Sequence, residues 1–236
     1  MAGAILLPLA AVAQSIEEYL SFEAPAAWVA QVERPEVSTA REVRDIDYLL
    51  VDRQTRHTPQ DTDQYFRYVE ALGTKNGVEE NSAITIDFDP AYQTVTMHHL
   101  VRIRDGAATD VLNRGRFDIY RTETRREHLI YDGRMQLSYL IPDVRVDDVL
   151  DYAFTIHGKN PAIAPHFAGS LSQGYSVPVQ HLQQRLVVPG DTELHLETHG
   201  DVPAPRITER DGSRIYHWEH YDLAAISVED NLPHSV

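Results

Sequence analysis

Apolar and polar positions alternate with a period of two along much of the chain, a pattern that predicts β-strands. The clearest stretch is Thr94–Arg104. Because successive strand residues point to opposite faces, this stretch is predicted to be a strand with one buried face. The residues predicted to share that face are Val95, Met97, His99, Val101 and Ile103.

Further short runs rich in β-branched and aromatic residues are bounded by polar clusters, which is typical of strands. These runs are Tyr48–Asp52, Tyr65–Val69, Met135–Ile141, Val149–His157, Val177–Val188, Glu193–Thr198 and Arg214–Leu223. No amphipathic helical pattern of 10 to 15 residues separates them, so βαβ units and a parallel sheet are not expected.

Four dipeptides that tolerate a positive φ punctuate the pattern and predict tight hairpin turns between strands. They are Asn76-Gly77, Asp105-Gly106, Asp132-Gly133 and Asp211-Gly212. The sequence therefore predicts an all-β fold, an antiparallel β-sandwich with roughly a dozen strands and little helix.

The first thirteen residues carry no charge and end in Ala11-Val12-Ala13. This predicts a signal-peptide-like segment over residues 1–13, cleaved before Gln14 and too short to span a membrane. A packed apolar segment remains the alternative, because no Lys or Arg precedes the apolar run. Export predicts a periplasmic or secreted product without a membrane anchor after cleavage. An N-terminal lead over 14–27, a β-sandwich domain over 28–233 and the start of a possible linker at 234–236 complete the predicted organisation.

Charge and cysteine content narrow the function classes. Asp plus Glu number 36 against 21 Lys plus Arg, a formal net charge of −15, so nucleic acid is not an expected partner. The sequence contains no cysteine, which excludes disulfides, thiolate metal sites and a cysteine nucleophile within these residues.

Two groups of candidate metal ligands lack the spacing of a known site. His98 and His99 are neighbours, so on a regular strand they would point to opposite faces and could not chelate one metal. Carboxylates that could hold calcium are Asp87 with Asp89, and Asp143 with Asp147, Asp148 and Asp151. Neither set has the features of a calcium loop, and carboxylates that accept backbone N–H bonds in turns are the favoured interpretation.

The remaining candidates are a loop and a set of aromatic residues. The loop Gly169–Gly174 has neither the Lys of a phosphate-binding loop nor the Gly-x-Ser-x-Gly of a nucleophilic serine. The aromatic residues could form a platform for sugar or peptide, although most are expected in the core. They are Tyr48, Tyr65, Tyr68, Tyr131, Tyr139, Tyr152, Tyr175, Tyr216 and Trp218. We assign no catalytic, cofactor-binding or metal-binding residue, and expect no cofactor.

An ordered series of motifs resembles a bacterial domain of unknown function found N-terminal to transglutaminase-like domains in exported proteins. The motifs are Phe88–Val95, His98–Asp105, Ile130–Gly133, Asp143–Val146, Leu150–Tyr152, Gly158–Pro161, Pro178–Val179 and Arg185–Pro189. The resemblance covers about Trp28 to Pro233. At Asp147-Asp148 that family usually has a Gly, so the turn there is expected to differ.

The resemblance implies an immunoglobulin-like β-sandwich preceding a papain-like domain whose Cys-His-Asp triad would lie beyond Val236. The chain is therefore expected to be a non-catalytic accessory module, not itself an enzyme, whose partner is a transglutaminase-like domain in cis or in trans. The alternative is a stand-alone periplasmic module that binds peptide or glycan through an aromatic face or a sheet edge.

Overall fold

The computed structural model describes residues 15–36, 44–122, 133–163, 166–200 and 202–226. The predicted signal-peptide-like segment and the possible linker at 234–236 lie outside them. The described part of the chain is mostly β, with twelve strands and one α-helix, in agreement with the predicted strand content. It contains no helix long and apolar enough to cross a membrane.

Seven of these twelve strands overlap the predicted runs, and five strands of three to six residues were not predicted. The first six are β1 (Leu20–Phe22), β2 (Ile46–His57), β3 (Thr62–Leu72), β4 (Ala83–Phe88), β5 (Thr94–Arg104) and β6 (Ala107–Asp110). The others are β7 (Phe117–Arg121), β8 (Met135–Leu140), β9 (Val149–His157), β10 (Val179–Pro189), β11 (Arg206–Arg210) and β12 (Ser213–Leu223). Helix α1 spans Lys75–Asn81, and short 3-10 turns span Ile16–Glu18, Arg114–Arg116 and Pro161–Ile163.

One predicted strand is wrong. Glu193–Thr198 is an irregular connection between β10 and β11. Both edges of β10 are already paired, with β2 on one side and β12 on the other. Leu194 packs instead against the apolar cluster around Leu186 and Trp218. Alternation alone therefore does not produce a strand when the preceding strand already has both of its edges paired.

The strands form two sheets, and both parallel and antiparallel pairs occur. The large sheet has the order β1-β5-β9-β3-β2-β10-β12-β11, with β6 also paired to β5, and the small sheet has the order β4-β8-β7. Pairs β1–β5 and β2–β10 are parallel, with Val51 opposite Leu182 in the second. The wholly antiparallel prediction is wrong for these pairs, because glycine turns fix the direction only of strands adjacent in sequence.

The two sheets share one buried apolar cluster. The large sheet contributes Met97 and Leu150 on the side that we call the core face, and the small sheet contributes Phe88, Leu137 and Tyr139. All five side chains are fully excluded from solvent. Burial of apolar area stabilises a fold by about 25 cal/mol per Å², so this cluster stabilises the packing of the two sheets against each other.

Two of the predicted hairpin turns are confirmed. Asp105 and Gly106 join β5 to β6 with φ values of 50° and 78°, and Asp211 and Gly212 join β11 to β12 with 50° and 73°. Positive φ at both central residues matches the twist of the flanking strands. Gly133 also has a positive φ, but Asp132 lies outside the described residues.

The Asn76-Gly77 turn prediction is wrong, since both residues lie inside α1. The Thr74 side chain caps this helix by accepting the Gly77 N–H. A Cβ at Gly77 would lie 1.9 Å from the Asp45 carbonyl oxygen. Glycine is needed here for the close approach of two backbone segments rather than for a turn.

Strand β5 contains a bulge that changes which residues are buried. The pairing with β9 passes from Met97 opposite Phe154 to His99 opposite Ala153, so His98 is an extra residue. Beyond the bulge Leu100 joins the core face. The prediction that Val101, Ile103 and His99 share a face with Val95 and Met97 is therefore wrong, because one inserted residue inverts the alternation.

Candidate functional site

A segment of irregular chain covers the face of the large sheet opposite the core face. We call residues 23–36 the crossing segment, and the sheet surface beneath it the crossing face. Val29 is buried against Tyr65 of β3 and Ala153 of β9. The Arg56 guanidinium lies 5.4 Å from the Trp28 ring centroid, which is within cation-π distance. Two adjacent side chains thus anchor this segment.

The peptide groups of Ala30 are held by one buried side chain of β2. Gln54 Nε2 donates to the Ala30 carbonyl at 2.7 Å, and the Ala30 N–H donates to Gln54 Oε1 at 2.9 Å. The side chain of Gln54 therefore pairs with a main chain in the way that a neighbouring strand would. Gln54 is only 1% exposed, so both of these bonds are shielded from water.

Three more side chains of the crossing face donate to carbonyl groups of the same segment. Arg67 Nη1 donates to the Val32 carbonyl at 2.7 Å, and Arg185 Nη1 donates to the Trp28 carbonyl at 3.3 Å. His98 Nδ1 donates to the Glu23 carbonyl at 2.8 Å. Together with Gln54, these residues from β2, β3, β5 and β10 bind the segment through its main chain.

A buried carboxylate fixes the orientation of the Gln54 amide. Gln54 Nε2 lies 3.0 Å from each carboxylate oxygen of Asp52, and Gln183 Nε2 donates to Asp52 Oδ1 at 3.1 Å. Asp52 is 1% exposed, and this burial raises the pKa of its carboxyl to about 6. The amide hydrogen bonds and the nearby charges of Arg67 and Arg185 oppose that rise.

A second buried carboxylate fixes Arg67. The guanidinium donates to both oxygens of Asp151 at 2.9 Å, and His99 Nε2 donates to Asp151 Oδ1 at 2.8 Å. Burial acts to raise the pKa of Asp151, but the hydrogen bonds from His99 and Arg67 outweigh it and lower the pKa to about 2. Arg67 is therefore held in one geometry by a bidentate ion pair.

The bulge brings both neighbouring histidines to the crossing face. His98 Nε2 accepts from Thr155 Oγ1 at 2.7 Å while His99 contacts Asp151, and these two β9 residues lie four positions apart on one face. The prediction that His98 and His99 point to opposite faces is wrong, because it assumed a regular strand. Burial lowers the pKa of His98, which matches a neutral ring that donates to one partner and accepts from another. No cluster of three or more metal-ligating side chains occurs among the residues that the structure describes.

The predicted carboxylate groups serve local hydrogen bonding. Asp89 accepts the Ala91 N–H at 3.0 Å, as expected of a turn, and Asp87 accepts from Gln136 at 3.0 Å. Arg104 donates to both oxygens of fully buried Asp148 at 2.7 Å.

The other three acidic residues of this group, Asp143, Asp147 and Asp151, lie in different surroundings. Asp143 accepts from Arg104 at 3.0 Å and from Arg145 at 2.9 Å, while Asp147 lies in the same turn with a positive φ. Asp151 belongs to the Arg67 pair on the crossing face. Guanidinium groups thus pair with three of these carboxylates, Asp143, Asp148 and Asp151.

Four of the predicted aromatic residues form a half-buried group on the core-face side of β2, β3 and β9. This tyrosine cluster comprises Tyr48, Tyr68, Tyr152 and Tyr175, with neighbouring ring centroids 5.5 to 6.1 Å apart. Arg53 lies 5.9 Å from two of these rings and donates to Tyr68 Oη at 2.9 Å.

A buried acid lies at the base of the tyrosine cluster. Tyr152 Oη donates to Glu70 Oε1 at 2.8 Å, and burial raises the pKa of Glu70 to about 7. The other predicted aromatic residues of the described chain, Tyr65, Tyr139, Tyr216 and Trp218, are buried, and Tyr131 lies outside it.

The glycine-rich loop Gly169–Gly174 contacts its own backbone and β10. Ser172 Oγ donates to the Gly174 carbonyl at 3.0 Å, and Gln184 Nε2 donates to the Ser172 carbonyl at 2.5 Å. The hydroxyl of Ser172 is thus engaged with a carbonyl group, in keeping with a connecting loop rather than a nucleophile beside a base.

Sequence reasoning missed the crossing segment and the side chains that hold it. Strand β2 is polar at every position from Asp52 to His57, and Asp52, Gln54 and Arg56 share one face of it, a pattern typical of a solvated strand face. The pattern identifies a second, polar face, but it does not show that another part of the chain covers that face.

A family model described as a domain of unknown function with a solved structure, DUF3857, matches residues 59–227. The match confirms the predicted resemblance to a domain of unknown function, while the place of such a domain before transglutaminase-like domains stays a prediction. No curated protein matches the chain in sequence.

One solved structure shows this fold as part of a longer chain. A protein from Parabacteroides distasonis described as a candidate protease is 16% identical with a TM-score of 0.67, and the match covers 81% of this chain and 38% of that one. An M1 zinc metallopeptidase from Deinococcus radiodurans is 14% identical with a TM-score of 0.38, covering 75% of this chain and 39% of that one. The chain thus spans about two fifths of each of these structures.

Proposed function

Because this chain belongs to DUF3857, a family of domains of unknown function, we propose that it is a non-catalytic accessory module of an exported transglutaminase-like protein. In this proposal the papain-like cysteine domain lies beyond Val236 or in a separate partner. The finer architecture that we propose is an immunoglobulin-like sandwich, supported by the buried cluster that both sheets share.

The observation that carries the proposal is the likeness to part of a larger protein. The same fold makes up 38% of a chain described as a candidate protease. The sequence contains no cysteine, so the thiolate that a papain-like reaction requires must come from other residues than these. Both facts favour a supporting role beside a catalytic domain.

The test isolates the native protein from its host with an antibody against this chain and measures its mass and activity. We expect a cysteine-containing domain in the same polypeptide or in a co-purified one, with amine incorporation or peptide hydrolysis that iodoacetamide abolishes. Because this chain has no thiol, alkylation reports on the companion alone. A product of at most 26.8 kDa with no cysteine-containing companion would overturn the proposal. So would turnover by the purified chain by itself.

A stand-alone module that binds peptide or glycan is the second candidate, favoured by the tyrosine cluster. Half-buried aromatic rings beside a guanidinium are typical of sugar-binding and peptide-binding surfaces. Calorimetric titration with soluble cell-wall glycan fragments tests it. Tyr175→Ala should weaken binding, whereas Tyr120→Ala, at a 53% exposed position outside the cluster, should leave it unchanged.

A further inference from the structure

The contacts between the crossing segment and the sheet are made largely with the main chain of the segment. The sheet donates to the carbonyl groups of Glu23, Trp28, Ala30, Val32 and Glu36, and it accepts from the N–H groups of Glu23 and Ala30. Peptide groups are common to every sequence. A surface that recognises them can therefore hold other extended segments, as domains that bind peptides through main-chain hydrogen bonds do.

Two of the side chains that make these contacts are oriented by hydrogen bonds to other buried side chains. Asp52 and Gln183 orient Gln54, and Asp151 fixes Arg67 through two parallel hydrogen bonds. A surface whose donors and acceptors are already oriented loses little entropy when it binds. Such a supporting layer is characteristic of a binding site.

Simple attachment of a segment would not require this arrangement. Burial of polar and charged groups is unfavourable unless each is paired, and apolar side chains of similar volume often stabilise a fold as well or better. Asp52 is almost fully buried in the centre of the sheet. Polar groups kept at such a position indicate a function other than packing.

We propose that the crossing face is a groove that binds extended peptides, and that residues 28–32 occupy it in cis in this structure. Two subsites define the preferred occupant. The position of Trp28 lies beside the Arg56 guanidinium and favours an aromatic residue. The position of Val29, closed by Tyr65 and Ala153, favours a small or β-branched apolar residue. The ligand is thus a separate peptide with an aromatic-aliphatic pair in an extended conformation.

The covalently attached segment competes with any added peptide. A tethered ligand acts at an effective concentration in the millimolar range, so the groove of the wild-type chain is closed to weak ligands. Binding from solution should become measurable when the cis segment is weakened. Val29→Asp serves this purpose, because it places a charge in the apolar subsite while leaving the rest of the chain present.

The experiment titrates a fluorescein-labelled peptide of residues 23–36 with the full-length V29D chain and records fluorescence anisotropy. We expect saturable binding, at least about tenfold tighter than to the wild-type chain. N-methylation of the peptide at the Ala30 nitrogen removes the N–H that Gln54 accepts. This change should weaken binding about tenfold, as the loss of one buried hydrogen bond does.

Variants of the groove provide the matched comparison. Gln54→Ala in the V29D background should abolish binding, whereas Gln136→Ala, on β8 of the small sheet, should not change it. Circular dichroism verifies that each variant is folded, and Trp28→Ala replaces V29D if that variant fails to fold. The N-methylated peptide requires no mutation of the groove and tests main-chain recognition in either background.

Three results would overturn the inference. The first is no saturable binding to a folded chain with a weakened cis segment. The second is equal affinity for the N-methylated and unmodified peptides, which would show that side-chain packing alone is measured. The third is a dimer that free peptide dissociates, which would assign the groove to the crossing segment of a second copy. The accessory role proposed above is independent of all three results.

Discussion

Replacement of Asp52 by Asn isolates the titration of one carboxyl in the centre of the sheet. Burial raises the pKa of Asp52 from its ordinary 3.8 to about 6 in the folded protein. Between these two pH values the folded state binds more protons than the unfolded state, so a rise in pH lowers the free energy of unfolding. Above about pH 6 the ionised carboxylate destabilises the fold by its full amount, and below the pKa of the unfolded state this destabilisation is absent.

The size of the effect follows from the pKa difference. One pKa unit corresponds to about 1.4 kcal/mol, so a rise from 3.8 to about 6 corresponds to about 3 kcal/mol of destabilisation by the ionised carboxylate. Asn has nearly the same shape but does not titrate. The effect of the introduced amide on its two neighbouring amides is independent of pH. The way in which the difference in free energy of unfolding between D52N and the wild type changes with pH therefore measures the titration of Asp52 alone.

Urea denaturation of both proteins, followed by tryptophan fluorescence from about pH 4 to pH 8, measures this difference. We expect the stability of D52N relative to the wild type to increase by about 2 to 3 kcal/mol over that range. Asp151→Asn is the control, because its pKa of about 2 places the titration of Asp151 below pH 4, so the stability difference between D151N and the wild type should stay nearly constant over this range. A D52N difference that stays constant, or that falls as the pH rises, would refute a buried and destabilised carboxyl.

Three further predictions address other parts of the fold. Glu70→Gln should gain stability relative to the wild type as the pH rises from 4.5 to about 7, because burial raises the pKa of this carboxyl; the same denaturation series measures it. Gly77→Ala should lower the free energy of unfolding by about 1 to 3 kcal/mol through backbone overlap, whereas Gly115→Ala, with 3.7 Å to its nearest neighbour, should change it little in thermal melts. Arg67→Met should cost about 3 to 5 kcal/mol by removing the bidentate partner of buried Asp151, which then keeps His99 as its hydrogen-bond donor, and a smaller loss near pH 2 would identify the carboxylate as the cause.

Local sequence patterns predicted seven of the twelve strands of the described residues, because those patterns are properties of single strands. Alternation predicted both ends of β5, a run rich in apolar and aromatic residues predicted both ends of β9, and Asp105-Gly106 predicted a hairpin. The parallel pairing of β2 with β10 was not predictable in this way, since it joins strands that are far apart in the chain. Pairing direction between such strands is decided by tertiary packing, which no short sequence window contains.

The candidate site was missed for a related reason. Its position depends on a bulge at His98 and on the path of residues 23–36 across five strands, from β5 over β9, β3 and β2 to β10. A bulge adds one residue without a distinctive sequence, yet it moved His99 away from the core face and placed both histidines together. The polar residues of β2 were visible in the sequence, but their partners, the peptide groups of the crossing segment, carry no side-chain signature.

The composition of the crossing face bears on whether its cover can leave. Asp52, Gln54 and Arg56 alternate along β2, and Asp63 and Arg67 lie opposite them on β3. Such a face is typical of strands exposed to water. When the crossing segment departs, these charged and amide groups regain hydration, whereas an apolar face would expose surface that favours aggregation. The ionised carboxylate of Asp52 in particular is stabilised by hydration at neutral pH, because its burial is what raises its pKa. The face is therefore suited both to hold a main chain when covered and to remain in solution when open, which is the combination that exchange of one peptide for another requires.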